Sequence, residues 1–522
     1  MALAEAKTGA LPQRRPLNLR ASYPWLVTSA AVLGSMTVWA DANTMSVVLP
    51  RIMANFALDV EGGSWVLNAS LLATAVTMPA TGWLVARFGM TLLFFGGLTV
   101  FVLASLGCAL SWSVASLLLC RVCIGAATGA LVPVCQSLCF SAHPPERRGF
   151  AMAMFAFGSS VGIFSISVLN GYFVEEINWR VFFLISIPFG IGALSAGFAV
   201  LRRDGEKAHH PYLDVRGAAM LASCLLCLLL ALTQGQRIGW DTTYIRSLLA
   251  VSVGAFVSFL VAELKADRPF VDISLYKKPA FTLVAFVAMT YGLGIFGTNF
   301  LIPLFLENVL AYSVFLTALA MLPGGFAAAG TLFFSGWLTD RVDVRIPIVA
   351  GLVLYGASIY WMSTLAWETS FTTVAAMLCV RMVGTAFLFP SIMKAGLGAI
   401  TVERVGMAAG LINLQRQIGG MVGIALLGTF LERREIHHKW ILAQSQAFAP
   451  LGSEGCIDSM KDLYERLGNV ETLAELKAVL TLDRVTNRTA LINAFDDCFL
   501  IASLIFFLTI IPALFILRPR LR

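Results

Sequence analysis

Fourteen uninterrupted apolar runs constrain this 522-residue chain more than any other feature. They fall at about 25–49, 65–86, 92–111, 114–141, 149–173, 181–200, 214–234, 244–264, 280–306, 314–338, 346–364, 371–392, 404–430 and 494–517. A helix needs about 20 residues to cross a hydrocarbon layer about 30 Å thick. Hydrocarbon offers no partner to a backbone amide, so only helices and closed barrels can span it. The runs are too long, and too little alternating, for barrel strands. The expected fold class is therefore an all-α membrane protein with fourteen transmembrane helices.

With 58% hydrophobic and only 13% charged residues, the chain cannot build a soluble surface, which needs about 25% charged residues. The net charge of +7 points to no nucleic-acid partner, because its placement follows the bilayer. With the N-terminus in the cytoplasm, twenty-two basic residues fall on inner loops and tails. The outer loops keep Arg51, Arg180, Arg237 and Arg246, as the positive-inside rule requires. The expected location is the inner membrane, multi-pass, with both termini cytoplasmic. The basic N-terminus is not read as a signal peptide, because its apolar run continues from Trp25 to Leu49.

Two internal echoes divide the chain. Gly82-Trp83-Leu84-Val85-Ala86-Arg87 returns as Gly336-Trp337-Leu338-Thr339-Asp340-Arg341, and Arg121-Val122-Cys123-Ile124-Gly125 returns as Arg381-Met382-Val383-Gly384. Related halves are the mark of a transporter that rocks one half against the other. The expected organisation is a tail at 1–24, a six-helix half at 25–200, an inserted helix pair at 214–264, a second six-helix half at 280–517 and a tail at 518–522. Residues 431–493 form a charged, helix-patterned outer segment within the second half. The loop residues Gly82, Arg87, Gly336, Asp340 and Arg341 are the candidate gating positions.

Charges deep in the spans are few. Arg121, Arg381 and Arg416 are the deep bases, and Asp41 is the one acid read as clearly deep. Each costs at least about 2.5–3.5 kcal/mol at the bilayer centre, so such a group is normally turned into the bundle and used. At 1.5 Å per residue, Asp41 lies about 12 Å and Arg121 about 10 Å from the outer ends of their spans. That shared depth makes them the candidate proton-coupling pair. Asn43, Asn299, Arg381, Arg416 and Gln417 are the candidate substrate-cavity residues. An ion pair or side chains bonded to neighbouring backbone would also account for these groups.

Nine of the ten cysteines lie in or beside apolar runs and read as small hydrophobes. Cys120/Cys123 and Cys224/Cys227 lack the second ligand pair of a metal site. His437 and His438 read as a solvated helix end. No phosphate-cradling Walker sequence is present, so the chain shows no ATP engine. No metal, cofactor or enzymatic constellation is expected.

The residues resemble the fourteen-spanner drug:proton antiporters of the major facilitator superfamily, in the branch typified by EmrB. The likeness runs over essentially the whole chain. Its marks are Asp41-Ala42-Asn43-Thr44 through Leu49-Pro50, Trp65 with Pro79 and Gly82-Trp83-Leu84, and Arg121 with Gly125, Gly129 and Pro133. Asn178-Trp179-Arg180, Leu322-Pro323-Gly324-Gly325, Asp340-Arg341-Val342-Asp343, Arg416-Gln417-Ile418-Gly419-Gly420 and Leu431-Glu432-Arg433-Arg434 complete them. The chain departs from the family at Ala86, where an acid is usual, and at Thr91, where a base is usual. In span five, Ile166, Ser167 and Asn170 replace small or kinking residues.

The resemblance implies proton-driven export of small amphipathic or hydrophobic compounds, with protons and the lipid bilayer as partners. It also implies a periplasmic adaptor protein docked on 431–493. Three deep arginines against one deep acid favour an organic anion. Uptake or facilitated diffusion of a metabolite, and a non-transporting membrane scaffold or sensor, are the alternatives.

Overall fold

The structure is a computed structural model that describes residues 17–516 apart from 177, 202–213, 266–269, 367, 402–403 and 448–451. Fifteen α-helices run through the described residues: α1 (Leu17–Phe56), α2 (Val60–Phe88), α3 (Met90–Ala109), α4 (Val114–Ala142), α5 (Arg148–Glu176), α6 (Val181–Val200), α7 (Val215–Ile238), α8 (Thr243–Lys265), α9 (Pro279–Asn308), α10 (Val314–Arg341), α11 (Arg345–Met362), α12 (Phe371–Gly398), α13 (Val405–Ala447), α14 (Gly452–Arg466) and α15 (Glu471–Leu514). A helix stands at each of the fourteen apolar runs, and α14 lies within residues 431–493. Eleven of the described helices are long and apolar enough to cross a membrane.

Helix starts are set by local chemistry. Asp59, Ser113, Ser313 and Ser370 each accept a backbone N–H in the first turn of the helix that follows them, and so satisfy donors that a helix leaves free. Gly89, at φ 78°, is the single residue between α2 and α3. That left-handed backbone suits glycine and permits so abrupt a turn.

Outward faces stay apolar: α3 exposes Leu92, Val100 and Leu103, and α8 exposes Val253, Phe256, Val257 and Leu264. Patches of this extent need a covering, and in a membrane protein lipid provides it. Inside the bundle the helices meet at glycines. Gly125 and Gly129 of α4 lie against the carbonyls of Ser70 and Thr74 of α2, and Thr74 Oγ1 donates to Gly125 O at 3.0 Å. Gly419 and Gly423 of α13 lie against the carbonyls of Met289 and Leu293 of α9, while Gly292 of α9 meets Arg416 O. Gly158 and Gly162 bring α5 onto Val32 and Met36 of α1, where Ser35 and Ser159 share a 2.7 Å hydrogen bond.

Helices α7 and α8 pack on each other, and α7 rests on both α2 and α13. Leu229 packs with Leu72 and Ala75, and Trp240 Nε1 donates to Thr429 Oγ1 at 2.8 Å. At the other end of the second half, α13 and α15 continue beyond their apolar stretches and α14 packs along α15.

A side chain at Gly419 would run into a backbone carbonyl, which cannot rotate away. Gly419→Ala is expected to cost about 3 kcal/mol, the upper end for overpacking, and to remove most of the monodisperse peak in fluorescence-detected size exclusion. Gly96→Ala, whose new carbon meets nothing within 4 Å, should leave that peak unchanged.

Candidate functional site

The end of the bundle expected to face the cytoplasm is closed by residues of the echoed loops. Gly336 lets α10 approach the start of α5 so closely that an added side chain would strike Ala153, Phe150 and Gly149. One turn later, Asp340 reaches the first turn of α5. Its Oδ1 accepts the Gly149 N–H at 2.7 Å and its Oδ2 the Phe150 N–H at 2.8 Å. Lys394 of α12 donates to Asp340 Oδ1 at 2.6 Å and to Thr339 O at 2.8 Å. A carboxylate at a helix N-terminus meets free amides and the positive end of the helix dipole, so Asp340 joins α10 and α12 to α5. Arg341 stacks on Trp337 at 4.5 Å. Arg87 lies in the last turn of α2, where a cation favours the helix C-terminus. Gly82, the echo of Gly336, is covered by Met407 of α13.

Further in, the same two sets of helices share a buried amide pair. Asn413 Nδ2 of α13 donates to Gln136 Oε1 of α4 at 2.5 Å, and both residues are 1% exposed. Asn413 Oδ1 accepts from Arg416 Nη2 at 3.3 Å, so Arg416 reaches α4 through one intermediary. Gln417 Nε2 points to Leu71 O of α2 at 3.5 Å.

Arg381 of α12 is 1% exposed. Its Nη1 donates to Asn299 Oδ1 at 2.9 Å and to Thr298 Oγ1 at 3.1 Å, both on α9. Tyr355 of α11 shares a 2.7 Å hydrogen bond with Thr298. Tyr291 of α9 lies within electrostatic range of both Tyr355 and Arg416, which ties the two arginines to one polar cluster of α9, α11, α12 and α13. Arg381 Nε and Nη2 have no hydrogen-bond partner among the described residues.

Arg121 lies in the other set of helices and is also 1% exposed. It donates from Nε to Val66 O at 3.2 Å and from Nη2 to Ser70 Oγ at 2.7 Å. Helix α1 carries the backbone of Asp41 and Asn43 and packs against α4. The side chains of Asp41 and Asn43 lie outside the described residues, as do those of Ile166, Ser167 and Asn170.

Several partners escaped the sequence reading. Gln136, Asn413, Thr298, Tyr291 and Tyr355 are uncharged and looked like ordinary span residues. Lys394 was counted only as a loop base. Asp497 was passed over because it falls at the edge of the last run. It pairs with Arg434 at 2.6 Å and with His438 at 2.7 Å, joining α13 to α15, so His438 is a half-buried partner and not simply a solvated helix end.

Paired helices around a membrane-embedded polar cluster, closed at one end where an ion-paired carboxylate of one set of helices accepts backbone N–H groups of the other, define a multi-pass transporter of small molecules. The family model described as Major Facilitator Superfamily matches residues 31–424, and the chain belongs to that family. It is similar to the multidrug export protein EmrB of Haemophilus influenzae, with 29% identity over 82% of this chain and 84% of the relative. The EmrB of Escherichia coli K12 is 26% identical over 98% of each chain. Among solved structures, the proton:xylose symporter XylE superposes with a TM-score of 0.59 at 12% identity, covering 95% of this chain and 97% of that one. This likeness shows the fold alone.

Asp340 and Lys394 form one unit, 8% and 17% exposed, so removing either should cost nearly what removing both does. A double-mutant cycle of Asp340→Ala and Lys394→Ala, read by thermal unfolding in detergent, is expected to show a coupling of about 0.5–3 kcal/mol.

Proposed function

We propose that the chain is a proton-coupled exporter of small amphipathic compounds that works by alternating access, and that weak organic acids and organic anions suit its cavity best. The observation that carries the substrate reading is Arg381. Its guanidinium is buried among neutral oxygens, and two of its nitrogens have no partner among the described residues. A carboxylate or sulfonate matches such a group bidentately, with charge-assisted hydrogen bonds. Arg416 adds a second cation to the same cluster. The export direction is supported by the relatives named as multidrug export proteins.

For the proton step we propose Asp41, on a helix packed against the one that carries Arg121. Burial raises a carboxyl pKa and a neighbouring cation lowers it, and a group between those influences can load and release a proton as access alternates. In inverted vesicles with an imposed proton gradient, the protein is expected to accumulate a fluorescent organic anion in preference to an organic cation of similar size. Arg381→Gln should weaken anion uptake about tenfold or more, the loss of one charge-assisted contact. Asp41→Asn should abolish gradient-driven accumulation while leaving substrate binding measurable. Equal handling of anion and cation would remove the substrate assignment, and gradient-driven transport by Asp41→Asn would remove Asp41 as the proton carrier. Movement only down the substrate's own gradient would favour facilitated diffusion.

We further propose that the outer segment docks a periplasmic adaptor. Leu463, Leu467, Val470, Leu473, Leu476 and Leu480 are exposed on and between α14 and α15, and so many exposed apolar side chains in one short segment fit a protein partner. Leu467→Glu with Leu476→Glu is expected to lower adaptor co-purification several-fold without changing the amount of folded transporter. Unchanged recovery would leave the segment a purely structural role.

A further inference from the structure

The echoed sequences set equivalent helices against equivalent partners: α10 meets the start of α5, and α2 meets the start of α13. Asp340 supplies an anion to the first turn of α5. Its counterpart on α2 is Ala86, an exposed residue with no carboxylate to offer. The first turn of α13 nevertheless has the same demand, because its leading amides lack intrahelical partners and Arg404 precedes it.

A carboxylate arrives there from another direction. Asp272, in the linker between α8 and α9, forms an ion pair with Arg404, the residue immediately before α13. The backbone N–H of Asp272 also donates to Sδ of Met407 at 3.4 Å, and Met407 is the side chain that covers Gly82. The linker is tied down on both sides of this contact. Behind it, Phe270 and Val271 donate their backbone N–H groups to Glu263 Oε2 at 3.2 Å and Oε1 at 2.5 Å, and Glu263, in the last turn of α8, is only 4% exposed. Ahead of it, the Tyr276 hydroxyl accepts from Gln415 Nε2 of α13 at 3.1 Å. Lys278 Nζ reaches Ala399 O, at the end of α12, at 3.4 Å. Residues 270–278 thus form a strap along the first turns of α13, anchored on α8.

We propose that Asp272 is the latch carboxylate of the α2–α13 gate, carried there by the strap in place of the acid missing at Ala86. The gate then closes by two unlike devices: Asp340 acts directly from a transmembrane helix, and Asp272 acts through the linker of the inserted pair. The latch bears on α2 through Met407: Arg404 holds Asp272 at the start of α13, and the Asp272 N–H holds the side chain that covers Gly82, which ties the strap, and α8 behind it, to the gate. The role of this contact in transport rests on the alternating-access reading, whereas the contact itself can be tested without any substrate.

Asp272→Asn is the informative change, because asparagine keeps the oxygen that accepts the Ser274 N–H at 3.0 Å and removes only the charge. Spin labels at Phe88→Cys and Ile346→Cys, both exposed and at the ends of α2 and α11 nearest the gate, report its width in a cysteine-free background. Asp272→Asn is expected to raise the ratio of long to short distances roughly two- to fivefold, the effect of one partly exposed ion pair. Adding Ala86→Asp, which restores an acid on α2 itself, should return the distribution toward that of the parent. If Asp272→Asn yields no folded protein, Arg404→Gln removes the same ion pair from its other side, with the same long-distance population expected. A distance distribution unchanged by the loss of either partner would overturn the proposal. So would an opened gate that Ala86→Asp fails to narrow. Because the readout is a distance in substrate-free protein, these outcomes remain separate from any failure of the transport assay.

Discussion

Hydrocarbon cannot hydrogen-bond a peptide group, and the architecture of this protein follows from that one deficit. Backbone groups are satisfied along the helices, so the remaining polar side chains must find partners inside the bundle. Many hydroxyls turn back on their own helix: Thr28, Thr37, Ser137 and Thr298 each donate to the carbonyl four residues earlier. The deep arginines obey the same rule across helices. Arg121 uses a carbonyl and a hydroxyl of α2, and Arg381 uses an amide and a hydroxyl of α9.

Such contacts need helices close enough for short polar groups to reach, and glycine sets that distance. The α9–α13 interface shows the dependence most clearly. Gly292, Gly419 and Gly423 bring backbone against backbone, and this places Arg416 beside Tyr291 and Asn413. Asn413 in turn holds Gln136 across the boundary between the two sets of helices. A static packing role and a role in the candidate site are therefore the same role at these glycines, since widening the interface would separate the polar partners.

The sequence disclosed the periodic and the expensive features and was nearly silent about the cheap ones. Fourteen runs were visible because each repeats the same apolar demand some twenty times, and the deep arginines stood out because charge is rare where they lie. Arg381 and Asn299 were assigned to one cavity and do share a hydrogen bond. Tyr355 and Gln136 left no such trace, because a buried hydroxyl or amide differs little in composition from its neighbours until a partner some 57 or 277 positions away is known. Lys394 gave no sign of its partner for a different reason. A base near the end of a span satisfies the positive-inside rule whether it faces water or, as here, a buried carboxylate. The missing acid at Ala86 was legible as a departure from the family, but its replacement by Asp272 was not, because no spacing rule links a loop residue to a helix start 132 positions later.

That replacement bears on why an inserted pair sits between two related halves. An insertion placed there must be connected to the second half by a linker, and residues 270–278 of that linker lie against α13. In this protein the stretch 270–278 is buried at Phe270, Val271 and Leu275 and hydrogen-bonded to α8 on one side and α13 on the other. It therefore holds a fixed position against α13 where a loose tether would not. Asp272 on that linker meets the positive charge of Arg404 at the start of α13, so an acid at position 86 is not needed to balance it. The two halves retain the same helix-to-helix contacts at Gly82 and Gly336 while differing in the charge that secures them. Repeat symmetry in this fold thus constrains backbone packing more tightly than it constrains electrostatics, since a charge can be delivered to a helix end from any nearby element, whereas a glycine contact can be made only by the two helices that meet there.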